Sequence, residues 1–222
     1  MKNIRLIIFD WDDVFTLGST KGYFACYHQT LKELGVHLNK KEEERRIKSK
    51  WSQPHRLELA ALLKERPLLL DRACQIYEKQ LFGRTFLKHL RLVKGSVNLL
   101  TGFKHKYVLA VATGIHPNIF KQVLKKFKIP NVFSDLQFAY NIKDPSKQKP
   151  NPFMINKILR KQRIKNGEAI YIGDAKSDVE MARRAGVTPV VVLTGHLNKK
   201  EAQLLEVDYI LKDVTYLKNI LG

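Results

Sequence analysis

The sequence predicts an α/β protein: a three-layer core built on a parallel sheet, with an all-α domain inserted after the first strand. Three observations predict it. Short apolar runs alternate with helical patterns along most of the chain, which is how strands covered by helices on both faces read. Residues 17–92 interrupt that alternation with helical patterns only. Acidic, hydroxyl and lysine side chains then follow the ends of successive strands, and α/β sheets gather their ligands at the carboxyl ends.

The strands are expected at Ile4–Phe9, Tyr107–Ala112, Leu136–Ala139, Ala169–Ile172 and Pro189–Leu193, with a weaker one at Asp208–Leu211. Helical patterns fall between them, at about Ser96–Lys104, Pro117–Phe127, Pro152–Lys161 and Ser177–Ala185. The last opens on Ser177 with Glu180 three residues on, a capping-box pattern, and stops before Gly186. The inserted segment reads as helices over roughly Gly22–Leu34, Lys40–Lys50, Pro54–Lys64 and Leu70–Leu81, with a short fifth near Phe86. Leu57, Leu59, Ala60, Leu62 and Leu63 are too dense for strand alternation and suit a buried helix. The expected division is a Rossmann-like core of residues 1–16 and 93–222 and a helical domain of residues 17–92.

Composition narrows the class. With 222 residues, 44% hydrophobic, 12 Gly and 8 Pro, the chain is neither collagen-like nor low-complexity, and it can bury a core. Two cysteines, Cys26 and Cys74, make no disulfide framework. They are expected as two buried thiols in a reducing compartment, so a cytoplasmic location is expected. No apolar run reaches the ~20 residues of a membrane helix, and the start of the chain lacks the pattern of a signal peptide. Forty Lys and Arg against 21 Asp and Glu give a net charge of +19, which would draw phosphorylated metabolites or polyanions. The excess is spread along the chain. Clusters such as Lys121, Lys125, Lys126 and Lys128 suit solvated helix faces better than a nucleic-acid stripe, since no aromatic recognition signature interleaves with them.

Asp10, Asp12 and Asp13 follow the first strand, Thr113 and Gly114 the second. Lys149-Pro150 lies between the third and fourth strands, and Asp174 and Asp178 follow the fourth. Carboxylates converging from these loops need a cation, and an oxygen-only set with few protein ligands suits Mg²⁺. Thr113 and Lys149 would bind the non-bridging oxygens of a phosphoryl group. A carboxylate in line with the phosphorus can attack it, and a second carboxyl two residues along can protonate the leaving oxygen and later deprotonate water. Taken singly, each of these residues is equally at home as a turn or surface side chain. Their roles stand together.

The order of these motifs resembles that of the haloacid dehalogenase superfamily of phosphatases. Phe9-Asp10-Trp11-Asp12-Asp13-Val14-Phe15 is similar to its first motif, Asp-x-Asp-x-(Thr/Val). Thr113 stands where the second has Thr or Ser, and Lys149-Pro150 resembles the third. Gly173-Asp174-Ala175-Lys176-Ser177-Asp178 resembles the fourth, Gly-Asp-x-x-x-Asp. The helical insert resembles the type 1 cap of the phosphoglycolate phosphatase and β-phosphoglucomutase branch; the stretch between Thr113 and Lys149 is too short for the other, α/β cap. The resemblance implies Asp10 as nucleophile and Asp12 as general acid/base. Mg²⁺ would be held by Asp10, the Asp12 backbone carbonyl, Asp174 and Asp178, and phosphate by Thr113, the Gly114 amide and Lys149. A carboxylate at Asp12 argues against carbon–halogen cleavage. The loop Trp51-Ser52-Gln53-Pro54-His55-Arg56 falls where related enzymes set specificity, so His55 and Arg56 are candidate substrate-binding residues.

The sequence departs from the pattern at Asp13, where Gly is frequent, at Gly114, where Asn or Ser is common, and at Lys94-Gly95, where Pro-Gly is usual. The expected function is a Mg²⁺-dependent phosphatase acting on a small phosphorylated metabolite, as a monomer or homodimer. The alternatives are a sugar phosphomutase of the same branch, a nucleic-acid-end phosphatase and a non-catalytic phosphate-binding protein. A dinucleotide-dependent dehydrogenase is not supported, because no Gly-x-Gly-x-x-Gly follows the first strand.

Overall fold

The computed structural model describes residues 1, 3–51 and 54–221. In chain order its elements are β1 (Leu6–Phe9), β2 (Thr16–Leu17), α1 (Ser19–Glu33), α2 (Lys40–Lys48), α3 (His55–Leu62), α4 (Leu70–Phe82), α5 (Arg84–Leu87) and β3 (Arg91–Leu92). Then come α6 (Ser96–Phe103), β4 (Val108–Thr113), α7 (Pro117–Lys126), β5 (Asp135–Phe138), α8 (Phe153–Gln162), β6 (Ala169–Gly173), α9 (Lys176–Arg184), β7 (Thr188–Val192), α10 (Lys199–Leu204), β8 (Tyr209–Leu211) and α11 (Lys218–Leu221). The chain divides into two compact units, Met1–Leu17 with Arg91–Gly222, and Gly18–Leu90.

The first unit is built on a parallel sheet, with strand order β5-β4-β1-β6-β7-β8 among the described residues. The four residues of β1 are an unbroken apolar run, and all four are fully buried. A run of this kind fits only the centre of a sheet covered on both faces. Each such side chain contributes about 1.5–3 kcal/mol by leaving water, so burial is concentrated at the strand that also starts the site. Leu6 and Ile8 pack with Met154, Ile155 and Ile158 of α8 and Met181 and Ala182 of α9. The alternate residues face the other way, and there the Phe9 ring meets Phe15 edge-on at 4.9 Å.

Register positions the functional loops. Phe9 at the end of β1 lies opposite Val111 of β4 and Ile172 of β6. Asp10, Thr113 and Asp174 each follow within two residues, so all three emerge at one rim. The chain runs outward from β1 to β4 and β5 on one side and to β6, β7 and β8 on the other. That rim is therefore the topological switch point, where a crevice opens between diverging connections.

Several expectations are corrected in detail. The first inserted helix begins at Ser19 rather than Gly22. Gly22 lies inside it, because the Phe86 ring packs where its Cβ would be, at 2.7 Å. The helix expected to be capped by Ser177 starts two residues earlier, with Ala175 as N-cap. There the Asp178 carboxylate accepts from the Asp174 and Ala175 backbone N–H groups, each at 3.1 Å. Glu180, the other half of the expected box, faces Lys176 and Arg184 instead. Both cysteines are free, but only Cys26 is buried; Cys74 is half-exposed with its Sγ near Arg56 at 3.7 Å. The two-residue ribbon of β2 and β3, and helices α10 and α11, were not expected.

In the second unit α1 packs on α4 and α5. Tyr27 and Tyr77 stack with centroids 4.4 Å apart, both buried. Asn39 caps α2 by accepting from the Glu42 N–H at 2.9 Å. Among the described residues no helix is long and apolar enough to cross a membrane.

Candidate active site

Asp10 is the first residue beyond β1, and its N–H still donates to the Ile172 carbonyl at 2.8 Å. The backbone is thus held by the sheet while the side chain is released at its edge. One carboxylate oxygen accepts from the Trp11 N–H at 2.7 Å, and the other accepts from Lys149 Nζ at 2.7 Å. The same ammonium donates to Asp178 Oδ1, also at 2.7 Å. Asp178 Oδ1 further accepts from the Tyr171 hydroxyl at 3.2 Å, and that hydroxyl also lies 2.8 Å from the Ala112 carbonyl. Lys149 Nζ stands 5.6 Å from the centre of the Tyr171 ring.

Asp174 completes the group. Its Oδ2 accepts from the His196 N–H at 2.8 Å, and its carbonyl accepts from the Leu197 N–H at 2.9 Å. One carboxylate oxygen from each of Asp10, Asp174 and Asp178 lies within 4.8 Å of the others, and all three residues are buried. Two glycines make this approach possible. A Cβ on Gly173 would collide with the Asp178 carboxylate, and one on Gly195 with that of Asp174.

The electrostatics of the group are unbalanced. Three carboxylates face one ammonium among the described residues. Burial pushes the Asp10 carboxyl above its usual range; Lys149 pulls it back and Asp178 adds to the rise. Burial, then Asp178 and Asp10, hold Asp174 well above the usual carboxylate range. For Lys149 burial opposes the charge, but Asp10 and Asp178 outweigh it and hold the ammonium well above its usual value. Burial likewise keeps the Tyr171 hydroxyl protonated. A set of buried carboxylate oxygens with excess negative charge fits a hard divalent cation.

Thr113 ends β4, fully buried, and its Oγ1 accepts from the Ile115 N–H at 3.3 Å. Gly114 next to it is exposed. Asp12 is half-buried in the turn after β1 and bridges to Thr16. Its carboxylate is outside the three-acid group. Asp13 adopts φ 55°, a left-handed conformation in which Gly is easiest and Asp is tolerated, which accounts for this departure from the motif. Its carbonyl accepts from the Thr194 hydroxyl at 2.6 Å.

The sequence-derived site residues thus fall into two sets. Asp10, Thr113, Lys149, Asp174 and Asp178 meet at one rim, with Asp12 and Gly114 one or two residues from members of the group. His55 and Arg56 belong to the helical unit and are engaged within it. His55 stacks on Tyr77 at 5.1 Å and sits 3.5 Å from Glu78, while exposed Arg56 pairs with Asp71 at 2.7 Å. Burial lowers the His55 pKa, with Glu78 opposing. Ser52 and Gln53 of the expected specificity loop lie outside the described residues. Sequence reasoning missed Tyr171 and the Thr194-Gly195-His196 turn. The turn comes directly after the strand expected at Pro189–Leu193, so the tendency of ligands to gather at strand ends points to it. Tyr171, inside a strand, carried no such signal.

Comparison with known proteins bears on the fold and the family. A curated phosphoglycolate phosphatase of Aliivibrio fischeri is 24% identical over 116 residues, 52% of this chain and 50% of that protein. The chain spans about half the length of the curated relatives it matches. Among solved structures, a haloacid dehalogenase-like family hydrolase from Streptococcus pneumoniae superposes with a TM-score of 0.77 over 100% of both chains, at 22% identity. A haloacid dehalogenase-superfamily hydrolase of subfamily IA from Geobacter sulfurreducens gives a TM-score of 0.72 at 22% identity, over 99% of this chain and 97% of that one. These structural likenesses concern the fold. The sequence profile described as "Haloacid dehalogenase-like hydrolase" matches residues 7–192, from within β1 to the end of β7, and the chain belongs to that family of hydrolases.

Proposed function

We propose that the protein is a Mg²⁺-dependent phosphatase that hydrolyses a small phosphate monoester through an aspartyl-phosphate on Asp10. The observation that carries this reading is the Asp10 carboxylate itself. It is buried at the sheet's switch point, fixed through one oxygen by the Trp11 N–H and through the other by Lys149. A nucleophile needs this kind of fixed orientation more than it needs high basicity.

The roles follow from position. Asp10, the Asp12 carbonyl, Asp174 and Asp178 would hold Mg²⁺, which when bound supplies charge that draws electron density from the phosphoryl oxygens. The Thr113 hydroxyl and the Gly114 N–H donate to non-bridging oxygens, and the Lys149 ammonium neutralises them. An Asp10 oxygen attacks phosphorus while the ester P–O bond breaks. The departing electron pair stays on the leaving oxygen, which takes a proton from Asp12. In the second half Asp12 accepts a proton from water as that water attacks the phosphorus, releasing phosphate and restoring Asp10. Tyr171 and the His196 N–H act as positioning groups, holding Asp178 and Asp174 respectively.

A panel of phosphorylated metabolites with Mg²⁺, read by released phosphate, tests the proposal. Release from at least one small monoester, abolished in Asp10→Asn, is the expected result. Conversion of a hexose 1-phosphate to its isomer without free phosphate would replace it with the phosphomutase reading.

A further inference from the structure

Tyr171 is the only polar side chain of β6 and is fully buried. Its ring packs with Ile8, Ala112 and Met181, on the α8 and α9 side of the sheet. β1 lies between β6 and β4, and Ile8 pairs with Tyr171 on one side and with Ala110 on the other. The phenol hydroxyl crosses that width and stands 2.8 Å from the Ala112 carbonyl of β4. Ala112 follows Val111, the partner of Phe9, so the contact lies level with Asp10. It grips the residue directly before Thr113.

The same hydroxyl lies 3.2 Å from Asp178 Oδ1, while Asp178 Oδ2 accepts from the Asp174 and Ala175 N–H groups. The ring faces Lys149 Nζ at 5.6 Å, within the reach of a cation–π contact. One side chain therefore touches the strand that presents Thr113, an acid of the rim, and the ammonium that joins Asp178 to Asp10. A phenyl ring would fill the same apolar space, and a hydroxyl in such a place costs free energy unless it is bonded. What the hydroxyl adds is a fixed arrangement of its partners.

Resting on the cation role proposed for Asp10, Asp174 and Asp178, we infer that Tyr171 is a positioning residue that makes this acid set rigid and so sets its preference for Mg²⁺ over Ca²⁺. Mg²⁺ demands near-ideal octahedral geometry at short distances, whereas the larger Ca²⁺ accepts longer and less regular sets of oxygens. Discrimination between them depends on carboxylates that cannot drift apart. Without the hydroxyl, Asp178 keeps its backbone bonds and Lys149 but loses its tie to β6. The Ala112 carbonyl loses the link that holds β4 in step with the start of α9. The looser set costs Mg²⁺ more than Ca²⁺.

The test is calorimetric titration of Mg²⁺ and of Ca²⁺, each alone and without substrate, into the parent, Tyr171→Phe and Tyr77→Phe. The control variant removes another buried phenol hydroxyl, on α4 of the helical unit. Melting temperature in EDTA checks that the ring-preserving variants are folded. Mg²⁺ affinity should fall about tenfold or more in Tyr171→Phe, the scale of losing a group that orients a metal ligand, and Ca²⁺ affinity should fall less. Tyr77→Phe should keep both affinities. Unchanged Mg²⁺ affinity in Tyr171→Phe, equal losses for the two ions, or the same Mg²⁺ loss in Tyr77→Phe would overturn the inference. Because no turnover is read, the outcome is separate from that of phosphate release. A parent with the expected cation behaviour but no phosphatase activity contradicts the proposed function and leaves Tyr171 its role; an active parent whose ion preference survives Tyr171→Phe does the reverse.

Discussion

Each unit of the molecule contains a charged cluster, and the two are balanced in opposite ways. In the helical unit the Arg46 guanidinium is buried and meets Glu65 through two bonds, at 2.6 and 2.8 Å. It also meets Glu42 at 2.7 Å and the Leu62 carbonyl at 3.0 Å. Both acids lie toward solvent, and their hydrogen bonds to arginine pull each carboxyl down to about 2. At the sheet rim three buried carboxylates gather beside one lysine, which bonds Asp10 and Asp178, and Asp10 and Asp174 are pushed up. The first cluster is complete as it stands and serves stability. The second is in deficit of positive charge, which fits a divalent cation.

The largest effect that could break this contrast is kinetic. Asp10→Asn should lower phosphate release by about 10³-fold or more, the scale of losing a nucleophile, with the parent as reference in a steady-state assay. In the absence of Mg²⁺ the same variant should be no less heat-stable than the parent, because it removes a carboxylate that burial disfavours. A large drop in melting temperature would mean the rim cluster is structural after all. Asp12→Ala should cost about 10²–10⁴-fold on an alkyl phosphate, and clearly less on p-nitrophenyl phosphate, whose leaving oxygen needs no proton. Equal losses on the two esters would remove Asp12 as the acid.

Mg²⁺ should stabilise the parent by about 2.7 kcal/mol at a hundredfold excess over its dissociation constant. Scanning calorimetry should show that gain reduced in Asp174→Asn. The Arg46 cluster should show no such response to the ion. Arg46→Met should cost about 1–2 kcal/mol in chemical denaturation, since its acids can return to water. The acid limb sharpens the comparison further. Glu42 and Glu65 have folded pKa values of about 2 against an ordinary 4.5, so their contribution is present above 4.5 and lost as pH falls toward about 2. Acid titration of Arg46→Met should therefore show a weaker loss of stability across that window than the parent shows.

The contrast also explains what could be read in the sequence. The rim was legible because strand ends are where α/β sheets put chemistry, so Asp10, Thr113, Asp174 and Asp178 could be found by position alone. Lys149 is told from Lys147, two residues away, only by the Pro150 that follows it, since the loop has no periodicity to choose between them. Tyr171 was illegible: its place in an apolar strand is indistinguishable from core packing until its hydroxyl is seen beside Asp178. Asp178 was read as a ligand, yet it also opens α9 through two backbone bonds, a double duty that the competing Ser177–Glu180 pattern concealed. Helix α10 carried its own signal in Asn198 and Glu201, which exchange bonds at 3.0 and 2.8 Å. Its six residues were simply too short for an apolar period. The Arg46 network could not be anticipated, because Glu65 meets Arg46 only through the packing of α2 against α3.

Covalent transfer of the phosphoryl group to Asp10 is the step on which every assigned role depends. The direct measurement is to quench the enzyme during turnover with Mg²⁺ and a substrate, reduce with borohydride and map the modified residue by mass spectrometry. Conversion of Asp10 to homoserine, dependent on substrate and absent without it, is the result expected of an acyl phosphate at that carboxyl. Phosphate release with Asp10 unmodified, or with the reduced residue found elsewhere in the chain, would contradict it.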